Sequence, residues 1–355
     1  MSRVRTNGTV EPRVVKLKDV ALRAGCSVAT ASRVLNGHPT VGAMEKERVL
    51  AAADQLGYVP NNSARALRSQ STSLVGVVIP TLDHAIYAKM VGGLQERLAQ
   101  SGKAVIISTS DYDLDRERMQ ARLLVGRGVE SVVLVGIEHH PETLDALRRA
   151  GVSQIFTYTN ELGDGDAAVG FDNRLAGASV ARFLLDQGHI RFGMVAGVTR
   201  GNDRATQRRD GFLAALDEAG IARRDIVVIE APYRIENGRA AMQSLMQTHP
   251  RPTAVFCGSD ILAVGAIKYC DGAGIAVPGE VSVVGFDNLE VAELVTPELT
   301  TVDVPAREMG EAAAVALLRL GGGKETFIVT ELPTRLIVRG STGPVAIASA
   351  RLRPA

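Results

Sequence analysis

The period of the apolar positions changes once along the chain. Between Leu17 and Leu56 they recur at helical spacing; from Leu74 onward short apolar, β-branched runs alternate with helical stretches. In the first region Leu17, Val20, Ala21 and Ala24 mark one helix, and Gly25-Cys26 break it. Ser27 can accept hydrogen bonds from the N–H groups that open a second helix. That helix keeps Ala31, Val34 and Leu35 for packing and turns Val28, Ala29, Ser32, Arg33 and Asn36 outward. After the turn Gly37 to Thr40, a third helix runs from Ala43 to Leu56 with Met44, Val49, Leu50, Ala53 and Leu56 as its apolar stripe, and Gly57 stops it. Two short helices joined at a tight glycine turn read as a helix-turn-helix, whose second helix fits the DNA major groove. A plain helical hairpin is the alternative that this pattern leaves open.

Behind it, apolar runs at Leu74–Ile79, Ala104–Ser108, Ser131–Val135 and Gln154–Thr159 predict four strands. A second set follows at Arg191–Ala196, Ile226–Ile229, Thr253–Cys257 and Val281–Gly285. Helical stretches separate them: Met90–Ser101, Arg116–Arg127, Leu175–Gln187, Arg209–Ala219, Gly238–Gln247 and Ile261–Gly272. The strand spacing is that of βα units, and continuous apolar strands suit parallel sheets covered on both faces. The fold class is therefore α/β: a three-helix head, then two doubly wound parallel-sheet subdomains. A further helix at Ala306–Arg319 and a strand near Pro333–Val338 are extra to the second set, and Gly321-Gly322-Gly323 reads as a turn.

Charge sharpens the division. Residues 1–72 hold 11 Lys and Arg against 5 Asp and Glu, and the remainder 29 against 34, although the whole chain carries only +1. A basic head on an acidic body suits a polyanionic partner; an ordinary basic surface is the bland reading. Three widely spaced cysteines, with no CxxC, argue for buried thiols in a reducing compartment and against a disulfide scaffold or zinc site. No signal-peptide core and no apolar run of membrane-spanning length is present, so a cytoplasmic protein with no membrane partner is expected. The chain lacks a GxxxxGK[ST] loop, a GxGxxG after a strand, a GxSxG elbow and an HExxH. The expectation is no enzyme, no cofactor and no metal; His139-His140, before Pro141, reads as surface.

The residues 17–36, L-x-D-V-A-x-x-A-G-x-S-x-A-T-x-S-R-V-L-N, followed by Leu56-Gly57-Tyr58-Val59-Pro60-Asn61, closely resemble the opening of the LacI/GalR (lactose-repressor) family. The resemblance implies a helix-turn-helix domain over 13–60 and a hinge helix and linker over 61–72. It implies a core of periplasmic-binding-protein type, with an N-subdomain at 73–172 plus 304–330, a C-subdomain at 173–303 plus 331–340, and a tail at 341–355. The operator would be met by Leu17, Ser27, Val28, Ala29, Thr30, Ser32, Arg33 and Asn36 from the head. From the hinge it would be met by Asn61, Ala64, Leu67 and Arg68, with Leu67 wedging into a minor-groove step. Val28 and Ala29 can offer apolar contact to thymine methyls.

An effector would lie between the subdomains, at the carboxyl ends of the strands. The residues so implicated are Asp83, His84, Tyr87, Tyr158, Phe171, Arg208, Ser259, Asp260 and Asp287. They lie on the loop Pro80–Tyr87, in the stretch around Asp172-Asn173, in R-x-x-G-F at Arg208–Phe212, at Ser259-Asp260 and in Val284–Asn288. Helix caps, solvated loops or core aromatics are the competing readings of these residues. The chain departs from the family at Gly42 and Glu45, which replace hydroxyl residues facing phosphate, at Gln187, and at Ser259, where Asn is usual. Arg204 stands where a small Ser is common, and its extra charge hints at an acidic effector.

The resulting expectation is a ligand-responsive transcriptional regulator, a repressor of carbohydrate or related metabolic genes. Its partners would be double-stranded operator DNA, a small-molecule effector and a second copy of the chain. The tail has no leucine heptad, so a homodimer is favoured over a tetramer. A co-repressor-activated member and a small-molecule-binding α/β protein without a DNA role are the alternatives. Leu67→Ala is expected to weaken operator binding and reduce DNA bending, read by gel mobility of circularly permuted duplexes, while leaving effector affinity unchanged. Unaltered bending would remove Leu67 from the wedge.

Overall fold

The computed structural model describes residues 15–38, 41–59, 72–322 and 327–345. The chain divides between Thr72 and Ser73 into two compact units. The hinge residues Asn61, Ala64, Leu67 and Arg68, and the tail beyond Val345, lie outside the described residues.

The head is three helices: α1 (Leu17–Ala24), α2 (Val28–Leu35) and α3 (Ala43–Leu56). Helix α1 ends at Gly25, whose φ of 64° gives the left-handed turn a side chain would resist. Ser27 then caps α2, its hydroxyl accepting from the Thr30 N–H at 3.0 Å. Val20, Ala21, Ala24, Ala31, Val34, Val49, Ala52 and Ala53 form the small core. The stripe expected on α3 is displaced. Met44 is 81% exposed and Leu50 is also exposed, and Ala52 takes the inward position. In so small a domain the close approach of α1 to α3 favours alanine over larger side chains at the seam.

The second unit holds two six-stranded sheets. Lobe 1 contains β1 (Leu74–Ile79), β2 (Ala104–Thr109), β3 (Ser131–Val135), β4 (Ser153–Thr157), β5 (Ala167–Gly170) and β11 (Ile328–Glu331). They run in the order β11-β5-β4-β3-β1-β2, all parallel. Lobe 2 contains β6 (Phe192–Gly197), β7 (Ile226–Ala231), β8 (Ala254–Cys257), β9 (Ser282–Asp287), β10 (Thr300–Asp303) and β12 (Arg335–Ile337), in the order β12-β10-β9-β8-β6-β7. Here β12 is antiparallel to β10. Strands β5, β10 and β11, each only four residues long, fall outside the predicted apolar runs. The edge strand β2 has no fully buried position, so not every strand is covered on both faces.

The helices of this unit are α4 (Ala85–Ala99), α5 (Leu114–Gly126), α6 (Pro141–Arg149), α7 (Asn173–Asp186), α8 (Asp203–Glu218), α9 (Ile235–Met246), α10 (Asp260–Ala273), α11 (Val291–Leu294) and α12 (Ala306–Gly321). Helix α12 packs on α4 of lobe 1, although β10 before it belongs to lobe 2. The chain therefore passes between lobes at 171–172, at 304–305 and at 332–334. Three short connections placed side by side permit the lobes to rotate but not to separate.

Phe256 on β8 is fully buried, with ring centroids 5.2 Å from Phe212 and 6.3 Å from Phe286. Phe256→Ala is expected to cost about 3–5 kcal/mol of core stability in urea unfolding. A loss under about 1 kcal/mol would mean that this cluster is not the packing centre of lobe 2.

Candidate functional site

The head presents the outer face of α2. Val28 and Arg33 are exposed, as is Ala29, and the Arg33 guanidinium has no hydrogen-bond or ion-pair partner among the described residues. Other hydroxyl and amide groups are engaged locally. Ser27 and Thr30 share a bond at 2.9 Å, and the Asn36 amide donates to the Ser32 hydroxyl at 3.2 Å and to its carbonyl. Leu17 is half-buried against the head core, so its side chain packs inward rather than facing a ligand. The face thus offers two small apolar groups and one free guanidinium.

The second unit contains a cleft at the carboxyl ends of both sheets, with about 510 Å³ of empty space open to solvent. It collects His84, Tyr87, Tyr158, Phe171, Arg208, Ser259 and Asp287 from the residues expected in sequence. Two of the expected residues are absent. Asp83 is exposed, and its neighbour His84 turns inward in its place. Asp260 is fully buried behind the wall, where it accepts from Leu289 N–H at 2.7 Å and Thr301 Oγ1 at 2.6 Å. Its position after Ser259 looks inward in sequence, but the helix turn directs it to the loop that displays Asp287.

Arg208 sits at the centre. It is 9% exposed, its guanidinium carbon lies 4.3 Å from the Phe286 ring centroid, and its Nε has no partner. Its Nη2 reaches only the Tyr233 hydroxyl, at 3.4 Å. Asp287 is nearby, yet its carboxyl has no hydrogen bond or ion pair among the described residues. Burial pushes the Asp287 carboxyl up to about 8, with Arg208 partly offsetting the rise. Burial likewise lifts Asp260 to about 7 against the hydrogen bonds it accepts. The His84 ring is moved the other way, its pKa lowered first by burial, so it is neutral at pH 7. Asn173 donates to the Tyr158 carbonyl at 2.9 Å while its own Oδ1 is unpaired and buried.

Tyr112, Asn173, Asn202, Arg204 and Tyr233 complete the polar lining. Arg204 was singled out in sequence only for its charge. Tyr112 and Tyr233 follow the edge strands β2 and β7, whose loops obey the same carboxyl-end rule as the others and would have been found by it. Burial raises the Tyr87, Tyr112 and Tyr158 hydroxyls above their usual pKa, so they act as neutral donors or acceptors. Tyr112, Tyr158 and Asp287 have positive φ values of 60°, 61° and 110°. Such backbone costs about 1–3 kcal/mol per residue and concentrates at ligand sites. The arrangement is an aromatic floor under unsatisfied donors and acceptors, suited to a compact molecule with several oxygens. Two expectations about other groups change. His139 is not on the surface: its side chain is fully buried between Glu117 (Nδ1 to Oε1, 2.8 Å) and the Gly136 carbonyl (Nε2, 3.0 Å). The Arg204 charge is already met by Asp203 at 2.6 Å, which removes it as a sign of an acidic effector. Among the described residues no group of three His, Cys, Asp or Glu could hold a metal ion, and no helix is long and apolar enough to cross a membrane.

Comparison with known proteins places these two features in one context. Residues 16–61 match the model of the bacterial regulatory proteins of the lacI family, and residues 181–342 that of a periplasmic binding protein-like domain. The chain is 32% identical to catabolite control protein A of Priestia megaterium over 92% of its own length and 99% of that protein. A LacI-family transcriptional regulator from Silicibacter pomeroyi superposes with a TM-score of 0.84 at 27% identity, covering 93% of this chain and 99% of that one. The lac repressor dimer bound to operator and the anti-inducer ONPF superposes with a TM-score of 0.82 at 25% identity, covering 93% and 100%.

The site yields a pH prediction. An aspartate that titrates near 3.8 when unfolded and near 8 when folded favours folding fully below pH 4 and loses that advantage as pH rises through about 8. Asp287→Asn should therefore flatten the decline in urea-unfolding stability between about pH 4 and 8. Parallel profiles for variant and wild type would show that Asp287 is ionised throughout.

Proposed function

The chain belongs to the lacI family of bacterial regulatory proteins, and on that premise we propose that it is a ligand-responsive DNA-binding repressor of carbohydrate or related metabolic genes. The carrying observation is that one chain joins a helix-turn-helix with an unpartnered Arg33 to a cleft built around an under-bonded Arg208. Two heads of a homodimer read a pseudo-palindromic operator in the cytoplasm. Val28, Ala29 and Arg33 face base edges; Ser27, Thr30, Ser32 and Asn36 position the backbone, and Leu67 bends the duplex. The operator-bound dimer of the lac repressor supports this assembly.

The effector is a sugar, sugar acid or similar polyol. Arg208 grips vicinal oxygens or a carboxylate with its planar fork, and Asp287 and the Asn173 Oδ1 take hydroxyl protons. His84, Tyr87, Tyr158, Phe171 and Ser259 shape the remaining wall. Tyr112 and Tyr233 join them. The effector acts only through unequal affinity for two lobe arrangements, which alter the presentation of the hinges.

A thermal-shift panel of sugars, sugar acids and nucleobases should contain a compound that stabilises the protein. Arg208→Ala is expected to reduce that compound's affinity at least tenfold while operator affinity in its absence stays unchanged. An unaltered titration in Arg208→Ala would place the effector elsewhere.

A further inference from the structure

Arg204 is electrostatically misplaced for its own helix. It occupies the first turn of α8, where the helix dipole favours anions such as its neighbour Asp203 and disfavours a cation. Burial also works against its charge, and the adjacent Asp203 carboxylate opposes that penalty. What it gains lies across the cleft. Arg204 Nη1 donates to the Val135 carbonyl of lobe 1 at 2.8 Å and to Asp203 Oδ1 at 2.6 Å. The second oxygen of Asp203 accepts from the Ile137 N–H of lobe 1 at 3.2 Å.

The two side chains are only 6% and 10% exposed. They rest on Gly136, between the two peptide groups they bind. Gly136 has a φ of 84°, and a methyl group there would collide with both Arg204 Nη1 and Asp203 Oδ1. The seat is held in turn. Gly136 N–H donates to the Thr157 carbonyl at 2.8 Å, and the Gly136 carbonyl faces the buried His139 ring. Two other contacts that cross the cleft are softer: Gln207 to Glu161 at 2.9 Å is exposed, and His84 to the Tyr233 carbonyl is 3.2 Å; the buried Asn173 to Tyr158 carbonyl bond lies at the chain crossing itself. Exposed polar contacts compete with water, whereas a buried charge pair loses its partners only at large cost.

We propose that Asp203 and Arg204, seated on Gly136, form a latch that holds the lobes closed. An effector shifts the lobe arrangement with or against this latch, and the pair acts as a positioning element rather than as an effector contact.

The aromatic content supplies a direct readout. The chain has no tryptophan, and of its six tyrosines Tyr87, Tyr112, Tyr158 and Tyr233 line the cleft. Acrylamide quenching of tyrosine emission in the full-length, ligand-free protein therefore reports access to the cleft. Asp203→Ala from lobe 2 and Gly136→Ala from lobe 1 remove no side chain that lines the cleft, and all four tyrosines stay in place. Each is expected to raise the quenching constant at least twofold, with far-UV circular dichroism unchanged, and Gln207→Ala is expected to leave it unaltered. If Gly136→Ala does not fold, Asp203→Asn takes its place with the same expected rise. Wild-type quenching in Asp203→Ala together with Gly136→Ala or its substitute would overturn the latch, as would an equal rise in Gln207→Ala.

Discussion

The Arg208 guanidinium sits buried in the wall of the cleft with part of its bonding capacity unused. Arg208 is stacked on Phe286 and touches one hydroxyl weakly, and its Nε has no partner. Burying a charge without full compensation is costly, and evolution tolerates it where a ligand completes the set. Its surroundings are arranged around that charge. Asp287 lies near it on strained backbone, Tyr233 arrives from an edge loop, and Phe171 and Phe286 keep water away. Asp260, one layer deeper, fixes the loop that carries Asp287 by accepting from Leu289 and Thr301.

The lobes make that charge useful. Three short crossings of the chain tie two sheets together at one side of the cleft, so a molecule held by both lobes converts its binding energy into a lobe angle. The recognition helix adds a complementary constraint. Among the described residues, its outer face carries the small apolar Val28 and Ala29 and the exposed Arg33, a sparse set for binding from one head alone.

Much of this was legible in the sequence because it rests on local chemistry. Glycines at 25 and 57 and the Ser27 cap delimit the head helices, apolar runs mark eight of the strands, and β12 matches the extra strand near Pro333–Val338. Strands β5, β10 and β11 were not marked, because four-residue stretches such as Ala-Ala-Val-Gly, Thr-Thr-Val-Asp and Ile-Val-Thr-Glu are too short to give a hydrophobic run. Met44 and Leu50 were read as core because periodicity cannot tell which side of a wide stripe a neighbour will approach. In the cleft, residues close to a recognisable pattern were found, including Arg208, Asp287 and Phe171. Tyr112 and Tyr233 were not, although they stand just past the carboxyl ends of the predicted strands β2 and β7, because no family pattern drew attention to those loops. The burial of His139 and the capture of Arg204 by the Val135 carbonyl are long-range outcomes that no local spacing encodes.

The central claim, that the head gives this ligand-binding core a DNA-directed role, is tested by selecting duplexes from a random-sequence pool with the full chain and with a fragment beginning at Ser73. The account predicts that the full chain enriches one pseudo-palindromic sequence and binds it at least a hundredfold more tightly than the fragment does, with an affinity that falls steeply as salt is raised. Equal binding by chain and fragment, or no enriched sequence from the full chain, would contradict it.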